Sequence, residues 1–290
     1  MTQANDWPLV FFTLFSQISV GILISALVVW LSLKNTEATA YDTMKKVLLL
    51  TALALMAVAL VLSFLHLSRP GQAIYALSHA ANSWLSREII LASLFLLSLA
   101  LSYASLKWNF PHHKLFEQLY LAATIMGILL IWIMARVYML PTIPLWNAPS
   151  TPVAFFTTTL LLGAMTILVV TALGARQGSQ PASIEQVQGL LFYLVAFAVF
   201  IALLNMFVLQ PDITGLTSSF PLPEVAGKWK NAQIVFLLAG FSLLTWWFAF
   251  QHPQEGGTTS WLIYLSAACL FLSELAGRYL FYASYFRVGI

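Results

Sequence analysis

The sequence predicts an all-α fold, a polytopic transmembrane bundle of eight helices. Hydrophobic residues fill 60% of the 290 positions and charged residues only 8%. Soluble domains carry roughly 25% charged residues, so this composition excludes a cytosolic enzyme and a nucleic-acid-binding protein, and a single cysteine excludes a disulfide-stapled secreted domain. The apolar residues are also gathered into eight runs, each long enough to cross a bilayer.

A membrane-spanning helix needs about 20 apolar residues, and the eight runs have close to that length. They lack the alternation of polar and apolar residues that marks barrel strands, so we expect helices throughout. Residues 1–290 are predicted to form a single integral membrane domain, which the Pro-rich connector 141–152 would divide into two four-helix halves. The predicted spans are Leu9–Leu33, Val47–His66, Ile89–Leu106, Leu115–Leu140, Val153–Ala175, Val187–Leu209, Ala232–Phe250 and Trp261–Phe286.

The ends of these runs carry two further signals. The first run is expected to stay in the protein, because the leader before it has no Lys or Arg and the run is too long for a signal peptide. Tryptophans at or near span ends are expected to anchor at the membrane interface. These are Trp7, Trp30, Trp84, Trp108, Trp146 and Trp261.

Eight spans place both termini on one side, which we call the N-face. The N-face loops hold five Lys and Arg residues, whereas the shorter loops of the opposite face hold six. The positive-inside rule then predicts cytoplasmic opposite loops and periplasmic termini. The N-face loops are 1–8, 67–88, 141–152, 210–231 and 287–290, and the opposite loops are 34–46, 107–114, 176–186 and 251–260.

Charged residues at membrane depth are costly and are therefore functional candidates. Glu274 and Arg278 are spaced i, i+4, share one helix face and are predicted to form a structural ion pair. Arg136 has no acidic residue within one turn of its own helix. It needs a partner on another helix, a backbone carbonyl or a ligand.

Several ionisable residues converge on the N-face end of the predicted bundle. Taken alone, a histidine at a span end is an interface residue, and a glutamate at a span start is favoured by the helix dipole. Together they predict a polar pocket for a ligand with a lipid tail and a protonatable head, in which His66 and Glu88 exchange protons. The converging residues are His66, Arg69, Arg87, Glu88, Arg136 and Arg278.

The sequence predicts no metal site and no haem or iron–sulfur cluster in this chain. Only His66 among the five histidines lies in a predicted span, and Cys269 is the single cysteine. A haem held by two histidines and a cluster held by thiolates both need more ligands than these. There is also no HExxH and no Walker A motif.

Five patches in order along the sequence carry a family resemblance. They are Trp7–Gln17, Leu65–Pro70, Leu85–Ile89, Met134–Tyr138 with its sequel to Trp146, and Glu274–Arg278 followed by Phe281 and Tyr282. On these patches the protein resembles the membrane-anchor subunits of dimethyl sulfoxide reductases, the DmsC family, within the wider NrfD-like group of quinol-interacting anchors.

The resemblance implies a function in anaerobic respiration at the bacterial inner membrane. Members anchor a four-cluster iron–sulfur subunit and a molybdopterin catalytic subunit, and they oxidise menaquinol. The family's quinol-binding histidine and glutamate match His66 and Glu88, which are then the candidate catalytic residues. Arg69, Arg87 and Arg136 are candidates for binding or supporting the quinol.

Two other functions remain open on the sequence alone. Intramembrane Arg and Glu also mark the paths of secondary transporters, although the prolines here lie in loops or at span ends and no clear internal repeat is visible. The protein could also be a pure anchor without a redox role. Substitutions of His66 and Glu88, and co-purification of an iron–sulfur subunit, distinguish these functions.

Overall fold

The computed structural model describes residues 7–32, 39–66, 81–108, 113–175, 182–210, 224–250 and 260–284. Every regular element within these ranges is an α-helix, and eight helices are long and apolar enough to span a membrane, which confirms the predicted fold class. In order they are α1 (Trp7–Ser32), α2 (Thr39–His66), α3 (Trp84–Lys107), α4 (His113–Tyr138), α5 (Ser150–Ala175), α6 (Ala182–Phe207), α7 (Glu224–Phe250) and α8 (Ser260–Ala283).

Several helices begin earlier than the apolar runs indicate. The third helix starts at Trp84 instead of Ile89, because Ser83 caps it and its hydroxyl accepts a hydrogen bond from the backbone N–H of Ser86 at 3.3 Å. An apolar run marks only the hydrocarbon crossing, whereas the helix continues through its polar first turn. Glu88, which the sequence places in a loop, therefore lies inside α3.

The helices pack as two rings of four. In the first ring α1 contacts α2, α2 contacts α3, α3 contacts α4, and α4 returns to α1. Helices α5 to α8 repeat this order of contacts. The contacts between the rings are paired in the same way, since α1 with α8 matches α5 with α4, and α1 with α6 matches α5 with α2. The pattern relates the two halves by an approximate twofold axis.

Helices α1 and α5 form the centre of the molecule. In each, 61% of the membrane-crossing stretch is buried, against 22% to 44% in the other helices. They meet backbone to backbone at two glycines: a Cβ on Gly21 would overlap the Thr159 carbonyl oxygen, and a Cβ on Gly163 would overlap Gly21. Small residues allow this close approach between membrane helices.

Neutral polar side chains bind the helices to one another. The Ser19 hydroxyl of α1 donates to the Ala52 carbonyl of α2 at 2.8 Å. The Tyr120 hydroxyl of α4 donates to the Leu23 carbonyl of α1 at 2.7 Å, and Ser266 of α8 does the same to Gly240 of α7 at 2.7 Å. Interhelical hydrogen bonds of this kind contribute about 0.6 kcal/mol each in membranes.

Most of the predicted interface tryptophans lie exposed near helix ends, including Trp7, Trp84, Trp108 and Trp261. The prediction is wrong for Trp146, which is only 7% exposed. Its indole N–H donates to the Phe281 carbonyl at 2.7 Å, and its ring stacks on that of Phe281. Through these two contacts Trp146 attaches the connector 141–152 between the two rings to α8.

Candidate functional site

A buried carboxyl group lies at the N-face end of the first ring. Glu88 is in the second turn of α3 and is only 4% exposed. Its Oε1 has no hydrogen-bond partner within the described part of the protein. A buried acceptor without a partner is costly, since its lost hydration is not replaced. With no partner among the described residues, this oxygen is suited to accept a hydrogen bond from a ligand.

The two predicted arginines Arg87 and Arg136 meet on one aromatic ring, that of Trp84, which lies one helical turn before Glu88 in α3. The Arg87 guanidinium lies 4.4 Å from the centre of the Trp84 ring, and that of Arg136 lies 5.2 Å from it. Arg87 also donates to the Ala81 carbonyl at 2.5 Å, and Arg136 contacts the Met139 sulfur at 3.8 Å. Helices α3 and α4 therefore bring both cations to the end of the bundle that holds Glu88.

The other two predicted site residues of this end are less fully described. His66 is the last residue of α2, so its backbone lies at the same N-face end as Glu88. Its side chain, and the whole of Arg69, lie outside the described residues. The assignment of both to a quinol site stays a prediction.

A second polar group lies at the N-face end of the second ring, around Glu274 and Arg278. Both are buried, with 7% and 4% exposure, and they interact electrostatically. Their hydrogen bonds go elsewhere: Arg278 donates to the Gln17 side-chain oxygen at 2.8 Å, and Glu274 accepts from the Thr158 hydroxyl at 2.6 Å. The predicted ion pair is therefore part of a network that joins α1, α5 and α8.

Two tyrosines connect the two groups. The hydroxyls of Tyr138, at the end of α4, and Tyr282, near the end of α8, are 2.8 Å apart. Arg278 precedes Tyr282 by four residues on α8, so the two share a helix face. The tyrosine pair therefore joins the end of α4 in the first ring to the end of α8 in the second.

A cavity of about 700 Å³ opens beside Glu274 and Arg278. Residues at helix ends of the N-face line it, including Ser150 at the start of α5 and Ser284 just after α8. It is large enough for several waters or a small ring system. Within the described residues, no group of three or more His, Cys, Asp or Glu side chains could hold a metal ion.

The sequence did not single out Gln17, Thr158, Tyr138 or Tyr282 as functional candidates. A search for charged residues in the spans passes over them, because amides, hydroxyls and phenols carry no formal charge. Gln17 gives the clearest available signal, since it stands within the otherwise apolar and hydroxyl-bearing α1.

Comparison with known proteins identifies the family. The family model described as DMSO reductase anchor subunit (DmsC) matches residues 1–284. The protein is 28% identical to the YnfH chain of an anaerobic dimethyl sulfoxide reductase of Escherichia coli, over 99% of its own length and 97% of that protein. It is 26% identical to the C chain of the anaerobic dimethyl sulfoxide reductase of E. coli, with 99% and 97% covered, and 25% identical to the corresponding C chain of Haemophilus influenzae, with 100% and 98% covered.

These matches cover almost the whole sequence, and the five sequence patches and the eight spans are distributed along the same length. This is therefore a multi-pass membrane protein that belongs to the DmsC family of DMSO reductase anchor subunits.

Proposed function

We propose that this protein is the quinol-oxidising anchor of a DMSO reductase type complex in the bacterial inner membrane, with menaquinol as its substrate. Family membership supports the role of anchor. The observation that carries the redox role is Glu88, a buried carboxyl group at the N-face end of the first ring, whose Oε1 has no hydrogen-bond partner among the described residues.

In this proposal the subunit supplies the proton acceptors for quinol oxidation. Oxidation of a quinol to a quinone releases two protons and two electrons. Glu88 accepts the proton of one hydroxyl, and His66, at the same end of the bundle, accepts the other. Arg87 and Arg136 supply positive charge beside Trp84, at the same end of the bundle.

The electrons leave through partner subunits. In this proposal the N-face loops dock a four-cluster iron–sulfur subunit, which passes electrons to a molybdopterin catalytic subunit. The names of the relatives, anaerobic dimethyl sulfoxide reductase chains, support a reductase of this kind. The positive-inside rule places the N-face, and with it both termini, in the periplasm.

Substitution of Glu88 by glutamine tests the proposal in the purified complex. Gln has the shape of Glu but cannot take up a proton, so we expect turnover of a soluble quinol analogue to fall about 100-fold. His66→Ala should show a loss of the same order. The matched control is Glu117→Gln, which changes an exposed carboxyl group at the opposite end of α4 and should leave turnover unchanged.

Each rival function gives a different result. A pure anchor predicts that Glu88→Gln and His66→Ala turn over quinol as fast as the wild type, and that outcome would falsify the site assignment. A transporter predicts that the protein is stable without an iron–sulfur partner and moves a solute into liposomes.

A further inference from the structure

The cavity of about 700 Å³ lies at the N-face end of the second ring, and the proposed quinol reaction leaves it unused. The described residues that line it belong to the connector 141–152 or lie after it, and all four helices of the ring contribute. Cavities that bind small molecules have volumes of roughly 300 to 1,000 Å³ and a few convergent polar groups. Its size and its place at the membrane-facing end of four helices make this cavity a candidate binding site.

Asn205 leaves a hydrogen-bond acceptor unused in the wall of this cavity. The side chain lies near the end of α6 and is only 5% exposed, and its Oδ1 has no hydrogen-bond partner within the described residues. A buried oxygen without a partner is costly, because its lost hydration is not replaced. The cavity therefore suits a molecule that donates a hydrogen bond, such as one with a hydroxyl group.

Two cations border the cavity. Lys230 is exposed in the second turn of α7, and Arg278 is buried near the end of α8. The Gln17 oxygen takes only one of the N–H groups of Arg278, so the guanidinium keeps donors for a ligand. Glu274 also lines the cavity, but it lies one helical turn deeper, where its Oε2 accepts from the Thr158 hydroxyl. The charge nearest to the N-face is therefore positive, which favours an anion such as a phosphate group.

The cavity extends to the loosest helix contact of the second ring. Of the neighbouring pairs in this ring, α6 and α7 contact each other least within the described ranges. Gly227 and Lys230 of α7 line the cavity and are both exposed, and a Cβ on Gly227 would meet no atom of the described residues within 4 Å. Nearer the membrane centre the two helices carry exposed apolar side chains, including Phe200 and Val235. A lipid can therefore reach the cavity from the bilayer, with its chains along α6 and α7, and needs no passage through the N-face loops.

We propose that this cavity binds the headgroup of an anionic glycerophospholipid, with its phosphate on Lys230 and Arg278 and a headgroup hydroxyl donating to Asn205. Phosphatidylglycerol has both groups, since its phosphate is negatively charged and its terminal glycerol carries hydroxyls. Phosphatidylcholine has the same phosphate but ends in a trimethylammonium group, which donates no hydrogen bond and is repelled by the two cations. The site uses neither Glu88 nor His66, so its test does not depend on the proposed quinol reaction.

Native mass spectrometry of the purified complex tests the site, because it counts the bound lipids and gives their Kd values. We expect one phosphatidylglycerol per copy of this protein to bind more tightly than the other lipids around it. Its Kd should be at least about tenfold lower than that of phosphatidylcholine, because hydrogen bonds to charged groups contribute more than neutral ones.

Substitutions in the cavity wall should weaken this binding. Lys230→Ala removes a cation and Asn205→Ala removes the acceptor, and we expect each to raise the Kd for phosphatidylglycerol about fivefold. Gly227→Leu should raise it as well, because the added side chain has open space in the cavity wall and occupies it. Lys230 and Gly227 are exposed, so their variants should assemble even if Asn205→Ala does not.

Lys228→Ala is the matched control. Lys228 is an exposed lysine on the same helix as Lys230, but it does not line the cavity. Its removal takes away the same charge from the same end of α7. The Kd for phosphatidylglycerol should therefore equal that of the wild type.

Other outcomes overturn the proposal. If phosphatidylglycerol and phosphatidylcholine bind equally, or if the cavity variants behave like Lys228→Ala, the lipid lies on the outer surface of the helices and not in the cavity. If glycerol phosphate binds as tightly as the phospholipid, the cavity holds a soluble phosphate compound. If a soluble quinone analogue displaces the phospholipid, the cavity is a second quinone site.

Discussion

Gln17 is the residue that allows a cation to be buried in the middle of this molecule. Its side-chain oxygen accepts from Arg278 at 2.8 Å, and its amide N–H donates to the Phe155 carbonyl at 3.0 Å. The Arg278 guanidinium also lies 3.9 Å from the centre of the Phe155 ring. A neutral amide therefore holds together α1, α5 and α8 around a charge that would otherwise be very costly to bury.

We expect Gln17→Leu to destabilise the protein by about 2 to 3 kcal/mol, because it leaves the buried Arg278 without its hydrogen-bond acceptor. The measurement is the midpoint of thermal unfolding of the complex in detergent. Gln118→Leu is the control, since Gln118 is exposed near the start of α4. If the two variants had equal unfolding midpoints, Arg278 would not need Gln17 as its hydrogen-bond acceptor.

At the scale of single residues, the sequence identifies the charged side chains of the site but not the neutral side chains that contact them. Arg136, Glu274 and Arg278 stand out in the sequence because an ionisable group at membrane depth is costly and needs a structural or functional reason. Glu88 is a candidate for a different reason, its position among other ionisable residues at the N-face and the family resemblance. A tyrosine near a span end reads as an interface anchor by the same rules, so Tyr138 could not be told from an ordinary member of an aromatic belt. Only the packing of α4 against its neighbours gives its hydroxyl a role.

Among the helices, the crossing of α1 over α5 constrains the sequence most tightly. The two backbones touch at Gly21 and Gly163, so there is no space for even one methyl group at either position. Apart from the tyrosine pair, the main helix–helix contacts between the two rings in the described ranges all involve α1 or α5. A change at this crossing therefore acts on the whole assembly and not on one helix.

We expect Gly163→Ala to reduce the yield of assembled protein severely, because overpacking by a methyl group costs about 1 to 3 kcal/mol and here the obstacle is backbone. Gly189→Ala in α6 is the matched control, since its added Cβ meets only a Phe248 ring atom at 3.9 Å. The control should equal the wild type in yield by size-exclusion chromatography. A Gly163→Ala protein that assembles as well as the control would contradict the backbone contact between α1 and α5.

The existence of each helix follows from its apolar run, but its start and its neighbours do not. Hydrophobicity reports the length of hydrocarbon crossed, whereas Ser83 sets the true beginning of α3 by capping it. Trp146 sits near a span end in sequence, yet the fold of the connector turns it inward onto Phe281. The position of Trp146 depends on a contact 135 positions away, which its own neighbourhood in the sequence does not reveal.

The whole molecule is two similar rings in one polypeptide, although no repeat is visible in the sequence. Four helices pack into such a ring if they have apolar faces and small residues where they cross. Because many sequences meet these two conditions, two similar rings need not show a sequence repeat. The halves differ in chemistry: the first holds Glu88, whose Oε1 has no partner among the described residues, and the second holds Glu274 and Arg278, which bind Thr158 and Gln17.

An even number of spans predicts that a reporter at the C-terminus and one in loop 34–46 lie on opposite sides of the membrane. We expect a membrane-impermeant maleimide added outside spheroplasts to label Gly289→Cys and not Asn35→Cys, in a Cys269→Ser background that removes the native thiol. The reverse pattern would place the termini in the cytoplasm. Labelling of both would contradict eight spans.

The hydrogen bond between Gln17 and Arg278 also has a consequence for the order in which the protein is assembled during its synthesis. Its partners are 261 positions apart, so at ribosomal speeds roughly 13 to 50 s pass between their syntheses. During that interval the side-chain oxygen of Gln17 is in the membrane without Arg278, although its amide N–H can already meet the Phe155 carbonyl. Arg278 is synthesised near the end of translation, when Gln17 is already in the membrane. The guanidinium therefore enters next to its hydrogen-bond acceptor.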